Sequence, residues 1–337
     1  MRTIEWKNGV VLTIDQTRLP DSLVYVKLRN SRDIASAIKT MKIRGAPLIG
    51  AAAAYGLALT AYNSKVSSKR EFMKEMEDTV QILKGTRPTG MNLFWAVARI
   101  MSEVRKRRDL RVDMLRDLVV KEAGKIADED VEINRRIGEH GSKLVSNGDA
   151  ILTHCNAGAL ATVDYGTALG VIRSTWEQGK RIKVIATETR PRLQGARLTA
   201  YELQAMGVPF TLITDNMVGY VMSRGLVSLV ITGADRIVKD AVVNKIGTYS
   251  IAVLAHEHKV PFYAAAPLST FDLTHEAVDV TIEERPPEEV TRFGSKMIAP
   301  RGTTALNPAF DITPIRYVTG IICEKGVYAP QQLQELL

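Results

Sequence analysis

Ala150-Ile151-Leu152-Thr153-His154-Cys155-Asn156-Ala157-Gly158 follows the turn cluster Ser146-Asn147-Gly148-Asp149 and sets the reading of the second half of the chain. A short apolar run passes straight into a polar segment ending in glycine, as a buried strand does where it empties into a loop. The rhythm returns at Lys183 to Ala186, Pro209 to Ile213, Val227 to Thr232, Val260 to Ala265 and Tyr317 to Cys323, mostly with one helix's worth of chain between runs. That alternation is the signature of βαβ units and of a parallel sheet covered by helices. Ligands in such sheets lie off the carboxyl ends of the strands. Neither G-x-G-x-x-G nor G-x-x-x-x-G-K-[ST] occurs, so the sheet reads as Rossmann-like without a dinucleotide or nucleoside-triphosphate fingerprint.

Upstream the period changes. Residues 1–25 alternate loosely, as a small β ribbon does. Ser31 is placed to cap a helix carrying Ile34, Ile38 and Met41, and Pro47 to open an alanine-rich helix running to Tyr62. Further helices are expected near Lys69 to Lys84 and Met91 to Arg107. A long one follows, with Leu115, Val119, Ile126, Ile133, Ile137 and Leu144 on one stripe. The expected architecture is α/β: a mainly helical unit with its ribbon over residues 1–145, then a Rossmann-like unit over 146–337. A length of 337 residues suits two such units.

With 45% apolar and 24% charged residues, disorder, collagen and coiled coil are excluded. The uncharged stretch from Gly45 to Ser64 is long enough for a bilayer, but Pro47, Gly50, Gly56, Thr60 and Asn63 among many alanines suit a helix packed inside protein. Arg2, Glu5 and Lys7 interrupt any leader pattern at the start, and the expectation is a cytoplasmic protein without membrane contact. Cys155 and Cys323 cannot staple a chain of this size and lack metal-ligand spacing, so no metal is expected. Of the formal charge of +8, the whole excess lies early: residues 1–145 hold 27 Lys+Arg against 18 Asp+Glu, and the remainder 18 against 19. The dense run Arg105-Lys106-Arg107-Arg108 follows an apolar periodic stretch, where cations suit a helix C-terminus, and nucleic acid is not the expected partner.

Two segments put arginine just before a proline-opened helix: Arg44-Gly45-Ala46-Pro47 and Gly85-Thr86-Arg87-Pro88. Free amides and a positive dipole end beside a guanidinium make an anion site; ordinary helix starts with exposed arginines are the other reading. Cys155 ends the first strand run just before an expected helix, a setting that lowers a thiol's pKa and exposes it; a small buried hydrophobe is the alternative. Asp235 follows Leu229-Val230-Ile231-Thr232-Gly233-Ala234, where apolar surroundings raise a carboxyl's pKa and fit it to donate a proton; a salt bridge to Arg236 or a helix cap competes. Asn244-Lys245-Ile246-Gly247-Thr248 reads as a loop meeting a helix start, with Lys245 a second cation for the same anion. His256 and His258 fall on different faces of a helix. His154 and His140 read as structural, and Met217, Met222 and Cys323 as core.

Taken together, Met41-Lys42-Ile43-Arg44-Gly45-Ala46-Pro47, Gly85-Thr86-Arg87-Pro88-Thr89, Thr153-His154-Cys155-Asn156-Ala157-Gly158, Glu188-Thr189-Arg190-Pro191 with Gln194-Gly195-Ala196-Arg197-Leu198-Thr199, Asp215-Asn216-Met217, Gly233-Ala234-Asp235-Arg236, Asn244-Lys245-Ile246-Gly247-Thr248-Tyr249 and Asn307-Pro308-Ala309-Phe310-Asp311-Ile312-Thr313-Pro314 resemble the methylthioribose-1-phosphate isomerase family. The likeness runs from about residue 36 to 326. The wider superfamily includes ribose-1,5-bisphosphate isomerase and the regulatory subunits of translation initiation factor 2B. The resemblance implies a homodimer that converts 5-methylthioribose 1-phosphate to 5-methylthioribulose 1-phosphate in methionine salvage, with no cofactor. It implies Asp235 as proton donor and Cys155 as the group supporting the transition state. Arg44, Gly45, Ala46, Arg87, Gln194, Asn244 and Lys245 fall on substrate-binding positions. The rival readings are an isomerase of 5-deoxyribose 1-phosphate or ribose 1,5-bisphosphate, and a non-catalytic regulatory subunit. Departures from the pattern are Lys239-Asp240-Ala241-Val242-Val243 where a Gly-Asp turn is expected, and Gly90 and Tyr201 where Ala and Trp are usual.

Overall fold

The computed structural model describes residues 1–87, 90–107 and 109–336. The ribbon is a three-stranded antiparallel sheet, β1 (Ile4–Lys7), β2 (Val10–Ile14) and β3 (Tyr25–Leu28), three residues longer than the alternation suggests. Five helices follow: α1 (Ser31–Lys39), α2 (Ala46–Asn63), α3 (Lys69–Lys84), α4 (Met91–Lys106) and α5 (Val112–Ser142). Asn30, not Ser31, caps α1, its side chain accepting from Asp33 N–H. Pro88 as a helix opener and Arg108 of the basic run lie outside the described residues; α4 starts at Met91 after Gly90.

α2 explains its own composition. Leu48, Ile49, Leu57, Leu59 and every alanine after Ala46 are buried, so it is the axis around which α1, α3, α4 and α5 pack. Small side chains let those neighbours approach closely. Among the described residues no helix is long and apolar enough to cross a membrane. α5 serves two cores: Leu115, Val119, Ala123 and Ile126 pack into the helical cluster, while Ile137 packs with residues of the following sheet.

After the Ser146–Asp149 turn come β4 (Ala150–Thr153), α6 (Ala168–Glu177), β5 (Lys183–Thr187), α7 (Ala200–Met206), β6 (Phe210–Ile213), α8 (Val218–Ser223) and β7 (Leu229–Thr232). Next are β8 (Arg236–Val238), β9 (Ala241–Lys245), α9 (Thr248–Glu257), β10 (Phe262–Ala265) and β11 (Phe271–Asp272). The chain closes with α10 (Glu288–Thr291), β12 (Arg292–Phe293), β13 (Lys296–Met297), β14 (Phe310–Pro314), β15 (Gly320–Cys323) and β16 (Gly326–Tyr328). The main sheet has the order β16-β15-β10-β7-β4-β5-β6, parallel except for the edge strand β16. From β4 the chain steps to β5 and β6 on one side and returns to β7 on the other. The topological switch point, where such sheets open a ligand crevice, therefore lies beyond the carboxyl ends of β4 and β7.

Three local expectations fail. Asn244 and Lys245 end strand β9 rather than sit in a loop; β9 belongs to a second sheet, β11-β8-β9-β14, whose partner β14 lies some sixty residues away in sequence. The helix expected just after Cys155 does not start there. Ala159–Ala161 forms a single 3-10 turn and α6 begins at Ala168. Met217 is 46% exposed rather than core, whereas Met222 and Cys323 are buried.

Candidate active site

Cys155 leaves β4 in the left-handed region, φ 64°, a conformation that a non-glycine residue holds only when its surroundings over-determine it. Two threonines do so: Cys155 N–H donates to Thr189 Oγ1 at 2.9 Å, and Thr199 Oγ1 donates to the Cys155 carbonyl at 2.6 Å. Asp235 follows β7 by three residues, its N–H donating to Val243 O at 2.9 Å. The expected competitor for its carboxylate is engaged elsewhere, since Arg236 Nε donates to Asp272 Oδ2 at 2.8 Å. Among the described residues no side-chain hydrogen bond or ion pair holds the Asp235 carboxyl.

The cations come from both halves of the chain. Arg44 is 7% exposed. Its Nη1 donates to Asn156 Oδ1 at 2.7 Å and its Nη2 to Asn156 O at 2.8 Å. Asn156 in turn donates to Glu202 Oε1 at 2.8 Å, and Glu202 also accepts from Ala159 N–H at 2.7 Å. Gly45, φ 95°, lets the chain turn from Arg44 into α2 while touching Ala161: a Cβ there would lie 2.6 Å from the Ala161 backbone. Ala46 opens α2, whose positive dipole end faces the same space. Lys245 at the end of β9 is buried; Nζ donates to Ala309 O at 2.6 Å and sits 4.9 Å from the Phe310 ring centre. The altered turn upstream leaves its reach intact. Arg87 also lies over Phe310, 5.9 Å from the ring centre, with Nε 3.6 Å from Glu283 Oε2. Asn244 donates to Thr248 Oγ1 at 3.0 Å, and Gln194 leaves Oε1 buried without a partner.

All nine residues singled out in the sequence (Arg44, Gly45, Ala46, Arg87, Cys155, Gln194, Asp235, Asn244 and Lys245) line one pocket of about 760 Å³, open mouth included. Its rim holds side chains the sequence reading did not single out: Arg192, Glu283 and Arg285. Arg192 pairs with Glu289 at 2.9 Å, and Arg285 with Glu283 at 3.0 Å and Glu289 at 2.7 Å. Only Arg192, two residues before Gln194, has a sequence neighbour that could have flagged it. A side cavity shares Asp235, Arg87 and Phe310 with the main pocket and is otherwise largely apolar, with Ile49, Val243, Val280 and Ile282 in its wall.

Burial pushes the Asp235 carboxyl up, with Lys245, Arg87 and Arg44 pulling the other way. That direction matches the expected acid. Burial also pushes the Cys155 thiol up, against the pull of Arg44 and Lys245. This corrects the expected lowered thiol: the next α-helix along the chain begins only at Ala168, and desolvation outweighs two cations. Burial pulls the Lys245 ammonium down, opposed by Cys155 and Asp235. Among the described residues no group of three His, Cys, Asp or Glu is arranged to hold a metal ion.

A doubly wound sheet whose switch-point crevice gathers guanidinium, ammonium, carboxyl and thiol defines an α/β protein built to act on a small anionic metabolite. Residues 42–330 match the Initiation factor 2 subunit family. A Geotalea uraniireducens protein named methylthioribose-1-phosphate isomerase is 50% identical over 337 residues, 99% of this chain and 97% of that one. The crystal structure of 5-methylthioribose 1-phosphate isomerase from Pyrococcus horikoshii is 48% identical with a TM-score of 0.93, covering 99% of this chain and 95% of that one. A structure described as translation initiation factor eIF-2B, subunit delta, from A. fulgidus is 50% identical with a TM-score of 0.87, covering 99% and 97%. The chain belongs to the Initiation factor 2 subunit family and, within it, to the methylthioribose-1-phosphate isomerases.

Proposed function

We propose that the protein is an aldose–ketose isomerase that converts 5-methylthio-D-ribose 1-phosphate to 5-methylthio-D-ribulose 1-phosphate in methionine salvage. The observation that carries this reading is that Cys155 and Asp235 line one pocket with Arg44, Arg87 and Lys245. A sugar phosphorylated at C1 has no free anomeric hydroxyl, so ring opening needs a proton delivered to the ring oxygen. Asp235, its carboxyl raised by burial and free of an ion pair, donates that proton. Arg44, Arg87 and Lys245, with Gln194, Asn244 and the Gly45-Ala46 start of α2, grip the phosphate and the ring hydroxyls. The hydrogen at C2 then moves to C1. Cys155, kept protonated by burial, supports that transfer in a dry site rather than abstracting a proton as thiolate.

C4 bears both the ring oxygen and C5, so a sugar whose ring oxygen meets Asp235 directs its C5 substituent along the same wall. The apolar side cavity there favours a methylthio group over a second phosphate. Arg87 and Arg236, which also border it, are paired with Glu283 and Asp272. A regulatory subunit without catalysis has no use for an unpaired carboxyl that shares a pocket with a thiol, which favours the enzyme. In this reading the protomer has two units divided near residue 145 and works as a cytoplasmic homodimer, as the family resemblance implies.

Turnover of 5-methylthioribose 1-phosphate, 5-deoxyribose 1-phosphate and ribose 1,5-bisphosphate, measured side by side, tests the proposal. The methylthio sugar gives the highest kcat/KM, and loss of the methylthio group costs about tenfold or more. A preference for the bisphosphate, or no turnover of any of the three, sinks it.

A further inference from the structure

His154 stands between the two halves of the catalytic wall and belongs to neither in the reading above. It is 1% exposed and borders the pocket. Its Nε2 lies 2.8 Å from the Ile246 carbonyl, which only accepts, so Nε2 carries the ring proton. Nδ1 lies 2.6 Å from Thr187 Oγ1. With the imidazole neutral, as its burial favours, Nδ1 is a bare acceptor and the Thr187 hydroxyl donates to it. Thr187 Oγ1 is 3.3 Å from Thr189 Oγ1, and Thr189 Oγ1 accepts the Cys155 N–H at 2.9 Å. A hydrogen-bonded chain thus joins the Cys155 amide, through two hydroxyls and one imidazole, to the carbonyl next to Lys245. The far end is tight. Gly247, φ 105°, presses its backbone on the ring, so that a Cβ would lie 3.0 Å from Cε1 and Nε2.

We propose that His154 is a positioning residue for the isomerisation: it sets the separation between Cys155 at the end of β4 and Lys245 at the end of β9. The argument rests on the function proposed above. No other side chain among the described residues bonds both to the Ile246 carbonyl and to the threonine pair that holds the Cys155 amide. A shift of about 1 Å between reacting groups costs about 100-fold in rate, whereas the phosphate keeps Arg44 and Arg87 whatever His154 does.

Four variants of the full chain test this. His154→Gln keeps a donor for Ile246 and loses the acceptor for Thr187; His154→Asn does the reverse. Each drops kcat about 100-fold with KM within about threefold of native. Thr187→Val removes one hydroxyl and lowers kcat about tenfold, the scale of one hydrogen bond, while Thr187→Ser retains native kcat. A second readout needs no substrate: alkylation of Cys155 by iodoacetamide, located by mass spectrometry, speeds up about tenfold in Thr187→Val as the clamped thiol is released. Native kcat and native alkylation in Thr187→Val overturn the proposal, as does an equal loss in Thr187→Ser. A native chain that turns over none of the three sugars defeats the isomerase reading instead, and the alkylation comparison then decides the clamp alone.

Discussion

Replacing Gly45 by alanine probes how the end of the pocket proposed to hold phosphate is built. The residue holds φ 95° and ψ 132°, and a Cβ there would lie 2.6 Å from both Cα and O of Ala161. The unfavourable backbone costs about 1–3 kcal/mol, and forcing a methyl against main chain about 1–3 kcal/mol more. At about 2.1 cal/mol/K per residue, a chain of 337 residues shifts its midpoint by roughly 1.4 °C per kcal/mol. Gly45→Ala therefore melts about 3–8 °C below the native chain. Because the displaced atoms are Ala161 or the start of α2, Arg44 loses its register on Asn156, and inorganic phosphate binds about tenfold more weakly. Gly148→Ala separates the two costs: φ is 94° there, but nothing lies within 4 Å of the new Cβ. It falls by only about 1–4 °C and leaves phosphate binding unchanged. Differential scanning fluorimetry and phosphate titration calorimetry read both. A Gly45→Ala midpoint within about 1 °C of native, or a Gly148→Ala loss as large, refutes the reasoning.

The other predictions concern charge. In Asp235→Asn the proposed proton donor is gone, and kcat falls about 10²–10⁴-fold with little change in KM; because burial raises the native carboxyl, native kcat declines as pH rises through that raised value, a limb absent from any residual activity of the variant. Lys245→Met removes a cation that holds both the Asp235 and Cys155 pKa values down, so the alkaline limb of the pH profile moves higher while phosphate affinity falls; an unmoved limb contradicts the assigned coupling. Asp311, pushed up to about 6 by burial, accepts from Gly247 N–H and Tyr249 N–H at the start of α9. Its folded form binds the proton more tightly than the unfolded chain does, so its contribution is full below about pH 4 and is lost as pH rises to about 6, a change of about 1–3 kcal/mol. Asp311→Asn removes that slope, and parallel urea-melt curves for the two proteins count against it. In D2O the product carries little deuterium at C1 if Cys155 supports a transfer within the substrate; full incorporation assigns it a proton-abstracting role instead.

Legibility in the sequence followed how local the cause was. The parallel strands announce themselves because burial on both faces leaves nearly unbroken apolar runs, and α2 because only a helix packed on all sides affords so many alanines. The end of β9, Asn244-Lys245, reads as loop because it is polar and its pairing partner β14 lies far along the chain. The turn at Ala159–Ala161 has a helix-like composition; extended backbone at Gly158 and Thr162 bounds it, and Glu202, far along the chain, takes the Ala159 and Leu160 amides, a tertiary cause. Desolvation of the thiol is equally invisible in a string of letters, so position alone points its pKa the wrong way. Met217 escaped the core because it ends the short turn Asp215–Met217 rather than a periodic helix. Arg285 reaches the rim from a segment with no motif to mark it.

In the proposed reaction Asp235 and Cys155 run one isomerisation in one pocket. Incubating the native chain, Cys155→Ala, Asp235→Asn and the double variant with 5-methylthioribose 1-phosphate, and following ketose formation by NMR, tests it most directly. Ketose forms at the native rate in the native chain and at least about 100-fold more slowly in each variant, with all three variants folded and still binding inorganic phosphate. Ketose formed at the native rate by the double variant contradicts it.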